Sequence, residues 1–289
     1  MSKSLATAHI IKTGPGTSIQ DLGRIDYGKY GIPISGCMDA KSAHWVNLQL
    51  NNPSDSAVLE ISQPGLVMSF SAPTFISIAG AQSQVKVNGK EIPNPSFIPI
   101  KTKDQLEIGQ FITGARLYLG IKYGFKSQLE LSSRSFYKEI TPLAFFSKEG
   151  KISYWDEPSS SGILHSKAKW DHTWYETEEL EVYTGPDWKL LDNEKKSYLL
   201  EHRFHISPLT NRMGAQLLET IENNLPELPT NPVFPGTVQL TSGGKVIILG
   251  QDAQVTGGYP RIFQLTDLAI SILAQKKPGQ VVRFSKVNG

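Results

Sequence analysis

Cysteine is almost missing from this chain. Cys37 is the single one in 289 residues, so an intramolecular disulfide framework is excluded and a reducing cytoplasm is expected. No apolar run approaches the ~18 residues of a membrane span, and the opening MSKSLATAHIIKTG lacks the apolar stretch of a signal peptide. Charge of either sign is also in short supply. Against 29 Lys and Arg stand 27 Asp and Glu, and a net charge of +2 leaves no electrostatic footprint for nucleic acid. No G-x-x-x-x-G-K-[ST] loop exists, because Ser242-Gly243-Gly244-Lys245 reads as a hairpin turn, and no G-x-S-x-G elbow is found. His202 and His205 lie three apart, but no further Cys or His completes a metal set. None of the four methionines belongs to the Met-Lys-Met sequence of a biotinylated lysine. The chain is therefore expected to hold no metal and no covalent biotin of its own.

What remains is ordinary globular composition, 39% hydrophobic and 19% charged. The 25 glycines and 18 prolines read as scattered, which suits many short strands joined by turns. A first strand is expected at 8–13. After a helix capped by Asp39, with Ala43, Val46 and Leu50 on its apolar face, short apolar or alternating runs follow: VLEI (58–61), LVMSF (66–70), TFISIAG (74–80), DQLEIG (104–109) and RLYLGI (116–121). Asn88-Gly89 marks a type I′ hairpin. Strands at this spacing predict a sandwich or closed barrel. The polar EPSSSGILHSKAKWDH (157–172) divides the chain into halves at 1–156 and 181–289, with 157–180 as linker or excursion. In the second half, ELEVYTG (179–185) reads as a strand, Asp187 as the cap of a short helix, and RFHISPLTNRMGAQL (203–217) as a strand ending in a polar turn. GTVQL and KVIILG form a hairpin, and VVRFSKV closes the chain as a strand. The main helices are expected near 39–51 and 260–275.

The densest chemistry lies in GQDAQVTGGYPRIFQ, 250–264. Asp252, Gln254, Thr256 and Tyr259 surround Gly257-Gly258 between an apolar strand and the expected helix, and a glycine pair permits positive φ or close backbone approach to a ligand. A tight turn whose polar groups only satisfy the backbone is the alternative. Gln20, Asp21 and Arg24 sit around Gly23 in TSIQDLGR, where an Asp21–Arg24 pair closing a turn is equally a reading. Arg134 in LSSRSF and Arg212 in TNRMG can each grip a carboxylate or phosphate, or simply decorate a surface turn. Cys37 has no histidine near it in sequence and reads as a small buried hydrophobe. Arginines and aspartates beside glycines suit an anionic or amide-bearing small substrate.

Together GTSIQDLGR, GIPISGCMD, LEI, GARLYLGI, SSRS, NRMG, GTVQL and above all DAQVTGGYPRI with DLAISILAQKKPGQVVRF resemble the biotin-dependent carboxyltransferase family. That family includes the carboxyltransferase domain of urea carboxylase, the Kip antagonist and the C subunit of bacterial 5-oxoprolinase (allophanate hydrolase subunit 2-like). The chain departs from it at Tyr123-Gly124, where Gly-Gly is usual, at Phe136, where Thr is usual, and at Cys37, where another small residue is usual. The resemblance implies a mainly β fold of two cyclophilin-like β-barrel halves with a few short helices.

It also implies a function. A urea carboxylase carries biotin carboxylase and biotin carrier regions on the same chain, and these are missing from this sequence, so the expectation is the C subunit of an ATP-dependent 5-oxoprolinase. It would work with a Kip-inhibitor-like B subunit, with a LamB/YcsF-like A subunit, and with ATP used through the complex, to hydrolyse 5-oxo-L-proline to L-glutamate. Asp252 and Tyr259 would then handle protons, with Arg212 and Arg134 on anionic groups. Gln20, Asp21, Arg24, Gln254, Thr256, Gly257 and Gly258 would contact substrate. Asp252→Asn and Tyr259→Phe are expected to leave folding intact. The alternatives are a carboxyltransferase acting on urea or a related amide with separate biotin subunits, and a non-enzymatic regulator that sequesters a sensor-kinase inhibitor.

Overall fold

Apolar side chains at every second position, punctuated by turn residues, become eighteen strands and three α-helices among the described residues of the computed structural model, 3–93, 97–158 and 169–287. The chain divides into two units, Met1–Gly23 with Asp39–His172, and Arg24–Met38 with Thr173–Gly289. The contiguous halves expected from the sequence do not describe this interleaving. Residues 24–38 join the second unit because its groups bond them: the Ser35 N–H donates to the Gln251 carbonyl at 2.8 Å. Residues 169–172 stay with the first unit, where the Trp170 indole N–H donates to the Gly80 carbonyl at 3.2 Å and its ring lies 5.2 Å from that of Trp45. The middle of the expected linker, 159–168, lies outside the described residues.

The first unit has nine strands: β1 (Leu5–Lys12), β2 (Thr17–Gln20), β3 (Val58–Ile61), β4 (Leu66–Phe70), β5 (Thr74–Val87), β6 (Lys90–Glu91), β7 (Ile98–Ile100), β8 (Gln105–Ile121) and β9 (Gly150–Trp155). β8 organises them. The two expected runs DQLEIG and RLYLGI are one strand of 17 residues, which pairs β4 near its start and β3 near its end while β5 follows its other edge throughout. Register shifts between Gly80 and Val85 bend that long β5–β8 ribbon. Inward residues such as Ala8, Ile10, Leu59, Ile61, Met68, Ile108 and Leu119 form one core. Asn88 and Gly89, both at positive φ, make the expected hairpin turn. Asp39 caps α1 (Ala40–Gln49) by accepting from the Ser42 N–H at 2.9 Å.

The second unit continues with β10 (Glu179–Thr184), α2 (Asn193–Glu201), β11 (Phe204–His205), β12 (Gly214–Thr220), β13 (Asn231–Pro232), β14 (Thr237–Leu240), β15 (Lys245–Leu249), β16 (Thr256–Gly257), β17 (Arg261–Leu265), α3 (Asp267–Ala274) and β18 (Val281–Lys286). Seven strands form one sheet in the order β11-β18-β10-β17-β14-β15-β12, antiparallel except for β10 with β18. Leu180, Val182, Val238, Val246, Ile248, Phe263 and Phe284 meet in a second, separate core.

Three sequence expectations are corrected here. The helix expected over 260–275 begins only at Asp267, capped by Thr266, because Arg261–Leu265 is a strand between β10 and β14. The spacing of Ile262 and Leu265 matches a helical face, but burial of adjacent Ile262 and Phe263 belongs to a strand inside a sheet. The strand expected over 203–217 is two strands with a turn between them. Asp187 precedes a short 3-10 turn without capping it through its side chain; the carboxylate is turned to Arg261 instead.

Candidate functional site

In the second unit, the end of β15 is locked to the residues before β12. The Gly250 N–H donates to the Met213 carbonyl at 2.9 Å, and the Asp252 N–H to the Arg212 carbonyl at 3.0 Å. This backbone lock brings two side chains together. Arg212 Nε donates to Asp252 Oδ2 at 2.8 Å and Nη2 to Asp252 Oδ1 at 2.9 Å, a two-pronged pair with side-chain exposures of 8% and 13%. Nη2 also donates to the Gly36 carbonyl at 2.7 Å. Ser35 and Gly36 both have positive φ. The buried Ser35 hydroxyl has no hydrogen-bond partner among the described residues.

The turn then runs outward. Gln254, Thr256 and Tyr259 are exposed, Tyr259 by 39%, and Thr256-Gly257 pairs with Asn231-Pro232. Positive φ is not the reason for the glycine pair, since neither Gly257 nor Gly258 adopts it. Close approach is: a Cβ on Gly257 would lie 2.6 Å from Gln239 Nε2, and one on Gly258 3.1 Å from the Leu228 carbonyl. Beyond the turn, Arg261 donates to Asp187 Oδ2 from Nε at 2.9 Å and from its backbone N–H at 3.0 Å. Burial pushes the Asp187 carboxyl up, but the hydrogen bonds and charge of Arg261 outweigh it and hold the group below its ordinary value.

Gly250 is the tighter constraint. A Cβ there would lie 2.3 Å from the Arg212 carbonyl oxygen, a backbone atom that cannot swing aside. Gly250→Ala is therefore expected to lower the melting temperature by roughly 3–10 °C, the scale of an overpacking penalty in a protein of this size. Gly257→Ala meets only a flexible amide end and is expected to cost less than about 2 °C. Thermal melts of the two variants check the contrast.

The first unit gathers a different group. The Asp21 carboxylate accepts from Ser133 Oγ at 2.6 Å, Ser135 Oγ at 2.7 Å, the Arg134 N–H at 2.6 Å and the Gly23 N–H at 2.8 Å. It closes its own turn on the Gly23 amide and fastens the LSSRSF loop, so its acceptor capacity is spent on the protein. The Arg134 guanidinium donates to the Ser127 carbonyl. Gln20 is fully buried: its Nε2 donates to Ser18 Oγ at 2.9 Å, whereas its Oε1 has no partner among the described residues. Arg24, also fully buried, belongs to the second unit, where its N–H donates to the Ile34 carbonyl at 2.6 Å. Arg212, the arginine of TNRMG, holds Asp252 and Gly36.

Sequence reasoning passed over Glu60, Tyr118 and Arg116. Strand register places Ser18, Glu60 and Tyr118 in one row across β2, β3 and β8. The Tyr118 hydroxyl donates to Glu60 Oε2 at 2.7 Å and accepts from the Asp39 N–H at 2.8 Å, while Arg116 Nε lies 3.9 Å from Glu60 Oε1. A carboxylate between Leu59 and Ile61 in a strand buried at every position was the available signal.

Among the described residues no three His, Cys, Asp or Glu side chains are placed to hold a metal, and no helix is long and apolar enough to cross a membrane. The Gly243-Gly244 turn is tucked against Ile221, whose N–H donates to the Gly244 carbonyl at 2.9 Å. The Gly244 and Lys245 N–H groups donate to the Thr241 carbonyl and hydroxyl, both at 2.9 Å, so these donors of the turn are spent on the protein and do not form a phosphate cradle.

Residues 30–286 match the family described as carboxyltransferase domain, subdomain A and B. The chain belongs to this carboxyltransferase family. The resemblance to this family is thereby borne out. The carboxyltransferase chain is 25% identical over 288 residues to the 5-oxoprolinase C subunit of Escherichia coli, covering 95% of itself and 89% of that protein. Over 123 residues, 42% of its length, it is 36% identical to urea amidolyase of Saccharomyces cerevisiae, of which this is 7%. Among solved structures it superposes on TTHA0988 with a TM-score of 0.84 at 22% identity, covering 97% of itself and 55% of that chain. The K. lactis urea amidolyase gives 0.84 at 22% identity, covering 100% of this chain and 19% of the other. The carboxyltransferase fold, mainly β with barrel-like sheets and short helices, is thus shared with chains about twice to five times its length.

Proposed function

We propose that this carboxyltransferase-family chain is one subunit of an ATP-dependent 5-oxoprolinase that opens 5-oxo-L-proline to L-glutamate. The observation that carries the reading is end-to-end similarity to the 5-oxoprolinase C subunit, 95% of this chain against 89% of that one. A lactam amide resists water at neutral pH. Phosphorylation of its oxygen by ATP makes that oxygen a leaving group. Water then attacks the former carbonyl carbon, and proton delivery to nitrogen lets the ring C–N bond break to leave an acyl phosphate, which a second water hydrolyses to L-glutamate and phosphate. The Gly243-Gly244 turn does not fit a phosphate, so in this scheme ATP acts through companion subunits.

Within the same scheme Asp252, held by both prongs of Arg212, accepts a hydrogen bond from the lactam N–H and orients the ring. Arg212 is a positioning residue for that carboxylate. The exposed Tyr259 hydroxyl handles the proton at nitrogen.

A second reading, carboxyl transfer to urea or a related amide, draws on the 36% identity to urea amidolyase over 123 residues. The test is co-expression with the genomic neighbours, followed by two assays on the purified assembly. Glutamate and ADP formed together from 5-oxoproline support the proposal. ADP formation that requires urea and bicarbonate, with 5-oxoproline inert, supports the second reading instead.

A further inference from the structure

The prolines that read as scattered are, in one stretch, periodic: Pro226, Pro229, Pro232 and Pro235 fall at every third residue. Three residues per turn is the repeat of the polyproline II helix. Each proline fixes its own φ and biases the residue before it toward extended geometry, so two of every three residues from Leu225 to Pro235 are committed to that shape. No residue in the stretch has positive φ. Its backbone bonds run outward, as this helix requires. The Leu228 N–H donates to the Gly258 carbonyl at 2.9 Å, the Val233 N–H to the Val255 carbonyl at 3.0 Å, and Asn231 pairs with Gly257.

Threefold geometry sorts the side chains into columns. Leu225, Leu228 and Asn231 are half-buried, while Pro226, Pro229 and Pro232 are exposed. The three exposed prolines span six residue steps at ~3.1 Å rise, an outward column about 19 Å long running beside the 255–258 turn. Where the column begins, a groove of about 680 Å³ opens between α2 and residues 220–225, lined among others by Asp192, Glu194, Glu222 and Tyr198. Among the described residues Lys195 is the one cation lining it, and it is bonded to Asp192. The groove is therefore net acidic.

We propose that Leu225–Pro235 is a docking ridge for a companion protein subunit. The partner receives the proline column in an aromatic-lined groove and places a basic side chain in the acidic groove beside α2. A polypeptide partner is favoured because this fold makes up 55% and 19% of the longer chains it superposes on, so it is commonly joined to further protein. The proposal rests on the assembly reading above.

The test measures affinity of the full-length chain for its co-expressed companion subunits, using the wild type, a Pro226→Ala/Pro229→Ala double variant and Glu222→Lys, with thermal melts alongside. Tenfold or greater weakening in both variants, with turnover at saturating companion unchanged, supports the ridge. Glu222 is exposed, so its substitution keeps the test informative if the double variant folds poorly. Unchanged affinity in Glu222→Lys and in a folded double variant overturns the ridge and leaves the assembly reading standing. A wild-type chain that binds no companion overturns both. A homodimer that dissociates on Pro226→Ala/Pro229→Ala substitution overturns the heterologous partner.

Discussion

Asp252→Asn is expected to cut turnover of the assembled enzyme by about a hundredfold or more and to unsettle the fold as well. The two effects have one origin. With side-chain exposures of 8% and 13%, the Arg212–Asp252 pair is largely out of water, and an amide in place of the carboxylate removes the charge that both prongs hold and opposes an N–H₂ to one of them. Breaking one side of such a pair costs about 3–5 kcal/mol, or roughly 6–20 °C in melting temperature for a chain of this size. Similarity of shape between Asp and Asn does not offset this loss of charge. Tyr259→Phe is the cleaner probe because Tyr259 is 39% exposed. It is expected to melt within about 1 °C of wild type while losing turnover on a similar scale to Asp252→Asn. Melting curves and rates per folded molecule on both variants decide the matter. If Asp252→Asn loses stability alone and Tyr259→Phe loses nothing, the turn is structural.

Asp21→Ala is expected to cost at least about 3 kcal/mol of stability, because it strands four donors at once: two serine hydroxyls and the amides of Gly23 and Arg134. Each stranded buried donor costs about 1–3 kcal/mol, less where the loop can turn it to water. Ser133→Ala, which removes one donor and leaves the carboxylate three, is expected to cost about 1 kcal/mol. Urea melts of both variants check the ratio. A loss below about 1 kcal/mol for Asp21→Ala would show that other contacts hold the LSSRSF loop.

Strands β1 and β4 of the first unit were legible because one face of each is buried, which writes period two into them, and the hairpin was legible from the turn chemistry of Asn88-Gly89. The TGGYPRI stretch stood out for a different reason, its density of functional groups. What was not legible depended on distance along the chain. Arg212 and Asp252 are 40 residues apart, and nothing local shows that a backbone lock at Gly250 joins them. Asp21 meets serines 112 and 114 residues away. The helix misread over 260–275 failed at a local ambiguity: Ile262, Leu265, Leu268 and Ala269 satisfy a helical period, and only sheet pairing with β10 and β14 sets 261–265 apart. Glu60 was passed over because a lone carboxylate among aliphatics looks like a solvent-facing residue until the register sets Tyr118 beside it.

The assignment of residues 24–38 to the second unit has a consequence for the order of events on the ribosome. The first unit's segments, 1–23 and 39–172, emerge before any of 173–289, so that unit has all its strands in hand early. Residues 24–38 emerge with it, yet their bonding partners Arg212 and Gln251 are still unsynthesised. At synthesis rates of about 5–20 residues per second, this loop waits on the order of ten seconds or more for its acceptors and donors. A gene fragment beginning near residue 173 likewise encodes the second unit without the stretch that supplies the Gly36 carbonyl to Arg212. Splitting the protein at that point therefore divides a folding unit.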